Sequence, residues 1–295
     1  MSQTHFADRL ALRIREVESR LVVGIDPRLD RLPAEISAED PERALASLGQ
    51  GVIEAVAGHA AAVKPQVAFF ERYGWRGWRA LEAVCRCAAQ HRIPVILDAK
   101  RGDIGSTAVA YAEALLGDED GTPGPFVDAV TINPYLGTDS VEPFLAQVRD
   151  RGKGVFVLAR TSNPSGGEIQ CREQDTVPIF EQVARSAESW GVDSRGECGF
   201  HGVGLVVGAT YPDEISRVRQ AAPGSILLIP GVGTQGGSIE ALAPAFDENG
   251  LGAVVNSSRG IVQAFEKDLQ RPWQEMVEEA ARETRMALQG VSSTR

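Results

Sequence analysis

Eight short apolar runs, each followed by a stretch of helical periodicity, constrain this chain more than any other feature. The runs occupy 21–26, 61–65, 95–100, 127–133, 154–159, 203–208, 226–230 and 253–256. Near-continuous apolar runs of this length belong to strands buried on both faces, as in a parallel sheet covered by helices. Helical stretches fall at 5–19, 42–58, 75–90, 106–116, 140–150, 177–190, 213–221, 239–246, 261–269 and 272–288. Strict alternation predicts repeated strand–helix units. Eight of them within 295 residues predict an α/β fold of the (β/α)8 TIM-barrel type. With no repeat of fixed period and no linker, residues 1–295 read as a single domain with extra terminal helices.

Charge narrows the partners. A formal net charge of -10 argues against nucleic acid, which calls for a basic face. A small anion remains compatible, because a few local donors hold a phosphate. No apolar run approaches the length of a membrane span, and the first 20 residues carry no apolar signal core. The four cysteines, Cys85, Cys87, Cys171 and Cys198, match no zinc spacing, and a chain this size does not need disulfides. Reduced thiols, no membrane and a cytoplasmic location are the expectation.

A barrel of this kind keeps its chemistry at the carboxyl ends of the strands and its stability at the other face. Asp26, Lys64, Asp98, Lys100, Asn133, Ser162, Gln235 and Arg259 stand at or just after strand ends. His59, His91 and His201 precede strands, and His5 lies near the terminus, so none is placed for histidine acid–base work or a Ser-His-Asp triad. The third run is the richest in charge. It ends in Asp98 and Lys100, which project to one face if the strand is regular, and Gly102 then permits a turn into Asp103 at a helix start. Read blandly, this is a buried ion pair followed by a helix cap.

After the seventh run comes Pro230-Gly231-Val232-Gly233-Thr234-Gln235-Gly236-Gly237. A dinucleotide fold would place such a turn after its first strand, with an acid ending the second. Here the turn is late and the eighth run leads into Asn256-Ser257-Ser258-Arg259-Gly260. Barrels often bind phosphate in these last two loops, and an arginine there adds a permanently charged clamp. The segment 160–176, rich in Gly, Ser and Asn, has the profile of a lid.

These residues carry a family likeness. Asp98-x-Lys100-x-x-Asp103-Ile104-x-x-Thr107 resembles the signature of the orotidine 5'-phosphate decarboxylases. Gly24-Ile25-Asp26, Val63-Lys64, the glycine-rich turn at 230–237 and Ser257-Ser258-Arg259-Gly260 follow in the family's order. Asn133-Pro134-Tyr135-Leu136-Gly137 and Arg160-Thr161-Ser162-Asn163-Pro164 resemble the longer bacterial subgroup. The resemblance implies a homodimer that converts orotidine 5'-phosphate to UMP with no metal or organic cofactor. It implies a catalytic array of Lys64, Asp98, Lys100 and Asp103, with Asp103, Ile104 and Thr107 entering the neighbouring subunit's site. Asp26 and Lys64 would bind the ribose and Ser162 the pyrimidine. Gln235 and Arg259 would hold the phosphate, with Pro230 and Ser258 completing the substrate set. The alternatives are a magnesium-dependent sugar-phosphate decarboxylase of the same superfamily, a Schiff-base aldolase and a non-catalytic nucleotide-binding barrel. The first would carry a glutamate where Lys64 stands.

Overall fold

The computed structural model describes residues 5–117, 126–210, 212–231 and 239–292. Eight strands form one parallel sheet: β1 Leu21–Ile25, β2 Ala62–Pro65, β3 Ile96–Arg101, β4 Ala129–Ile132, β5 Gly154–Arg160, β6 Val203–Val207, β7 Leu227–Pro230 and β8 Ala253–Ser257. Their order is β2-β1-β8-β7-β6-β5-β4-β3. Bridges from Val63 to Val95 and from Gln66 to Asp98 join the two ends, so the sheet curls into a nearly closed (β/α)8 barrel.

Alternation along each strand sorts the side chains. Leu21, Val23 and Ile25 of β1 face outward into the layer shared with the helices. Val22 faces inward with Ala62, Ile96, Ala129, Phe156 and Val254. The same inward parity, carried to the carboxyl ends, reaches Asp26, Lys64, Asp98, Thr131 and Asn256. The barrel is therefore greasy below and polar above, as a strand period of two dictates.

Helix α1, Phe6–Val17, closes the lower end. Its Phe6, Ala7, Leu10, Ala11 and Ile14 join the inner cluster, and Phe6 meets Phe156 edge-on at 5.9 Å. The remaining helices are α2 Pro41–Val56, α3 Val67–Glu71, α4 Gly74–Gln90, α5 Gly105–Leu116, α6 Thr138–Arg151, α7 Gly167–Gln170, α8 Ile179–Gly191, α9 Pro212–Ala221, α10 Arg259–Val262 and α11 Trp273–Ser292. Helix α2 starts as its sequence directs, with Asp40 accepting from the Glu42 amide and Pro41 at the first position.

Three expectations change. The helix expected at 239–246 is a 3-10 segment, Glu240–Ala245, with Pro244 removing the donor an α-helix needs. The one expected at 261–269 breaks into α10 and a 3-10 turn, Ala264–Lys267. Segment 160–176 is not structureless. It carries a 3-10 turn, α7 and one strand of the hairpin Glu173–Gln174 with Val177–Pro178. Arg160, buried at its base, holds Glu214 at 2.7 Å, and Gln170 accepts from the Thr161 amide at 2.9 Å. Residues 118–125, between α5 and β4, lie outside the described residues.

Candidate active site

The site is built on a defect in the sheet. Leu97 of β3 pairs with Val130 of β4, and the next β3 pairing is Arg101 with Ile132. Asp98, Ala99 and Lys100 thus stand against Thr131 alone. Lys100 adopts a left-handed backbone, φ 48°, which costs a side-chain-bearing residue roughly 1 kcal/mol or more. Regular alternation is therefore not what brings Asp98 and Lys100 together; a β-bulge is.

Thr131 repairs the ladder that the bulge breaks. Its hydroxyl oxygen, buried, accepts from the Ala99 and Lys100 amides at 3.0 Å each. With both acceptor positions taken, its proton goes to Asp98 Oδ1, also at 3.0 Å.

Asp98 is the hub. Oδ2 receives Lys64 Nζ at 2.6 Å and Gln66 Nε2 at 3.0 Å, while Oδ1 receives Thr131 and Lys100 Nζ. Four donors fill what a carboxylate can accept. Burial alone pushes this carboxyl up, but the charges and hydrogen bonds of Lys64 and Lys100 prevail and hold it at about 2. Lys64 is 7% exposed at its side chain and Lys100 is 45% exposed. One ammonium is sealed in and the other faces open space.

That space is a cavity of about 380 Å³ over the strand ends. Its lining joins the polar Lys64, Asp98, Lys100 and Thr131 to the apolar Leu158, Val206 and Leu228, and includes Ser162 and Pro230. At the seam of β1 and β8, Asp26 and Asn256 each present a buried oxygen, Oδ1, with no partner among the described residues. Burial raises the Asp26 carboxyl, with Lys64 opposing. Ser258 accepts from Asn256 Nδ2 at 3.3 Å, and a side chain at Gly24 would come within 1.9 Å of the serine hydroxyl. Gly24 is there because Ser258 needs its place.

Other expected site residues stand apart within one chain. Asp103 accepts from the Ile104 amide at 2.8 Å and, among the described residues of one chain, does not join the Lys64–Asp98–Lys100 cluster; its bond to Ile104 is not a cap, since α5 has no side-chain cap. Ile104 and Thr107 are exposed at the start of α5. Arg259, exposed, opens α10. Gln235 lies outside the described residues, as do residues 232–238 of the glycine-rich turn. Gln66, Thr131 and Asn256 belong to the site although their sequence context did not single them out.

A wider groove of about 980 Å³ lies at the opposite face, lined by residues such as Asp8, Arg149, Arg195 and Glu197. Its charges are largely engaged: Arg149 with Glu142, Arg195 with Glu188, and Asp8 with the Cys198 amide at 2.7 Å. No strand's carboxyl end opens into it, so size here does not mark chemistry. Among the described residues, no group of three or more His, Cys, Asp or Glu side chains could hold a metal ion.

Comparison with known proteins decides the family. The profile of the orotidine 5'-phosphate decarboxylase / HUMPS family matches residues 19–284. The chain belongs to this family. Orotidine 5'-phosphate decarboxylase of Rhodopirellula baltica is 44% identical over 271 residues, covering 89% of this chain and 90% of the relative. That of Haloarcula marismortui is 47% identical over 263 residues, covering 89% and 88%. The structure of Leishmania donovani OMP decarboxylase superimposes with a TM-score of 0.79 at 35% identity, covering 99% of this chain and 100% of that one. The family match spans β1 to β8 and so includes every element of the charged cluster.

Proposed function

We infer that this chain decarboxylates orotidine 5'-phosphate to uridine 5'-phosphate and carbon dioxide, the last step of de novo pyrimidine synthesis. The observation that carries the reading is Lys100: a half-exposed ammonium, fixed to a carboxylate that is itself saturated, facing a cavity of substrate size. Loss of carbon dioxide from C6 of the pyrimidine leaves a carbanion with no adjacent carbonyl to spread the charge. A fixed ammonium beside C6 stabilises it electrostatically and then delivers its proton. Asp98 neither takes nor gives that proton, because all its acceptor positions are occupied. It holds Lys64 and Lys100 in place.

Magnitudes separate the contributions. A substrate carboxylate about 4 Å from Asp98 would be repelled by about 4 kcal/mol at an effective dielectric of 20. Enzymes lower barriers by about 8 kcal/mol or more. Ground-state repulsion is too small, and transition-state stabilisation by Lys100 dominates. Asp26 and Lys64 take the ribose hydroxyls, Ser162 the pyrimidine, and Gln235 and Arg259 the phosphate, with Pro230 and Ser258 completing the substrate set. Binding energy from the phosphate, remote from C6, orients the ring.

Residues 1–295 act as one decarboxylase domain, in a cytoplasmic homodimer. Four free thiols support the location. Ile104 just before α5, Val109 and Tyr111 on it, and Tyr135 and Leu136 before α6 are exposed apolar groups, and α5 packs against α6, which supports a subunit interface there. Asp103, Ile104 and Thr107 would then complete the partner's site, giving Lys100 a second carboxylate.

Loss of orotidylate absorbance on adding the purified protein, with and without EDTA, tests the reading. Conversion to uridylate unaffected by chelation is expected. No conversion by folded protein would refute it. Sedimentation equilibrium should give twice the chain mass, and a fully active monomer would refute the shared site.

A further inference from the structure

The bulge also leaves the Ala99 carbonyl without a donor in Thr131, whose hydroxyl proton goes to Asp98. The Ala99 carbonyl lies between Asp98 and Lys100, where β3 has no regular partner on β4. It receives Arg101 Nη1 at 3.0 Å. The same guanidinium is held from its other side by Glu71 of α3, and it lies 5.5 Å from the Tyr111 ring centroid. The Arg101 carbonyl accepts from the Asn133 amide at 2.8 Å, which returns the chain to the ladder. Arg101 is mostly buried, its side chain 21% exposed.

The placement of Glu71 matters as much as its charge. Helix α3 follows directly on β2, which carries Lys64 and leads into Gln66. Both of those side chains bind Asp98 Oδ2, whereas Lys100 binds Oδ1. The Glu71–Arg101 pair therefore ties the element bearing one set of donors to the bulge bearing the hub and the other lysine. Thr131 holds the Lys100 amide of this peptide and Arg101 its carbonyl; with the carbonyl unheld the peptide can pivot about the Thr131 contact, and that pivot swings Lys100.

We propose that Arg101, anchored by Glu71, is a positioning residue that pins the Ala99 peptide and so sets the direction of the Lys100 ammonium. Arg101 touches neither the cavity nor the reacting atoms; it acts through the backbone of its neighbours. The inference rests on the decarboxylase reading for its kinetic consequence, although not for its geometry.

The test compares wild type with Arg101→Met, Arg101→Lys and Glu71→Gln. A misplaced catalytic group costs about 10²-fold in turnover. Arg101→Met should lower kcat by about that factor while the Kd for uridylate stays within about threefold. Arg101→Lys, which can still donate to the Ala99 carbonyl, should recover part of the loss, and Glu71→Gln should fall between. A kcat for Arg101→Met within twofold of wild type would overturn the proposal. So would kcat and uridylate affinity falling together. The wild-type arm separates the two claims: wild type without turnover refutes the decarboxylase reading, and a crystal structure of Arg101→Met then judges the clamp. A turned Ala99 carbonyl with Lys100 off Asp98 supports it, and an unchanged bulge overturns it.

Discussion

The two mouths of the barrel are ends of the same eight strands, yet they treat polar groups in opposite ways. At the lower mouth most polar groups serve closure, although His5 Nε2, His201 Nδ1 and Ser225 Oγ there are also buried without a partner among the described residues. Helix α1 plugs the bore, and buried His201 is held by Glu188 at 3.1 Å. Arg219, beside this end, donates to the carbonyls of Ala222, Pro223, Ser225, Ala245 and Gly252 and lies 5.8 Å from the Phe200 ring centroid. Desolvation lowers this guanidinium to about 10, yet its bonds are nearly all to backbone. At the upper mouth the backbone is strained at Lys100, two lysines crowd one carboxylate, and Asp26 and Asn256 keep acceptor oxygens unmatched. One end spends polarity on fixing loops, the other on meeting a ligand. Strain and unmatched groups persist where surrounding structure enforces them, and such places are where function is found.

Substitutions at the two ends should separate activity from stability. The largest effect belongs to Asp98→Asn, which keeps the shape but removes the charge between the lysines. Turnover should fall by at least about 10³-fold, from loss of electrostatic positioning, with the fold retained. A variant within tenfold of wild type would place the chemistry elsewhere. Next comes Arg219→Met, which strips several buried carbonyls of their donor at about 1–3 kcal/mol each. A loss of about 3 kcal/mol or more in urea unfolding is expected, with kcat per folded molecule unchanged. A large drop in kcat without unfolding would break the division between the mouths.

Acid sharpens the comparison further. The Asp98 carboxyl sits at about 2 in the folded chain against an ordinary 3.8. Its folded value is depressed, so it contributes stability above the unfolded value that is lost as pH falls toward 2. The contribution is about 2 kcal/mol. Asp26, raised by burial, has the opposite sign: its ionisation costs stability as pH rises through its folded value. Urea unfolding between pH 5 and about 2 should therefore fall more steeply for wild type than for Asp98→Asn. Parallel curves would show that Asp98 is not held ionised by its lysines.

Much of this organisation was legible in the sequence. Parallel strands buried on both faces leave apolar runs that can be counted, and the charged residues ending them point to the face where the structure gathers its charged cluster. Lys64, Asp98 and Lys100 were found for that reason, and the histidines fell where their position before strands put them. The bulge was not legible, because alternate spacing in Asp98-Ala99-Lys100 already satisfies a regular strand. Thr131 and Gln66 gave a fainter signal: each is a polar residue at inward parity near the end of an apolar run, where a solvent-free face admits polarity only if it is bonded. Helix α3 escaped because a five-residue helix shows little more than one turn of periodicity. Asp103 shows the limit of a single chain, since its proposed role needs a second copy.

The most direct measurement is orotidylate turnover by Lys100→Ala, read beside its affinity for uridylate. Turnover should drop by at least about 10⁴-fold, from loss of proton donor and charge together, while uridylate still binds. Near-normal turnover by this variant would contradict the account, whatever the geometry around Asp98.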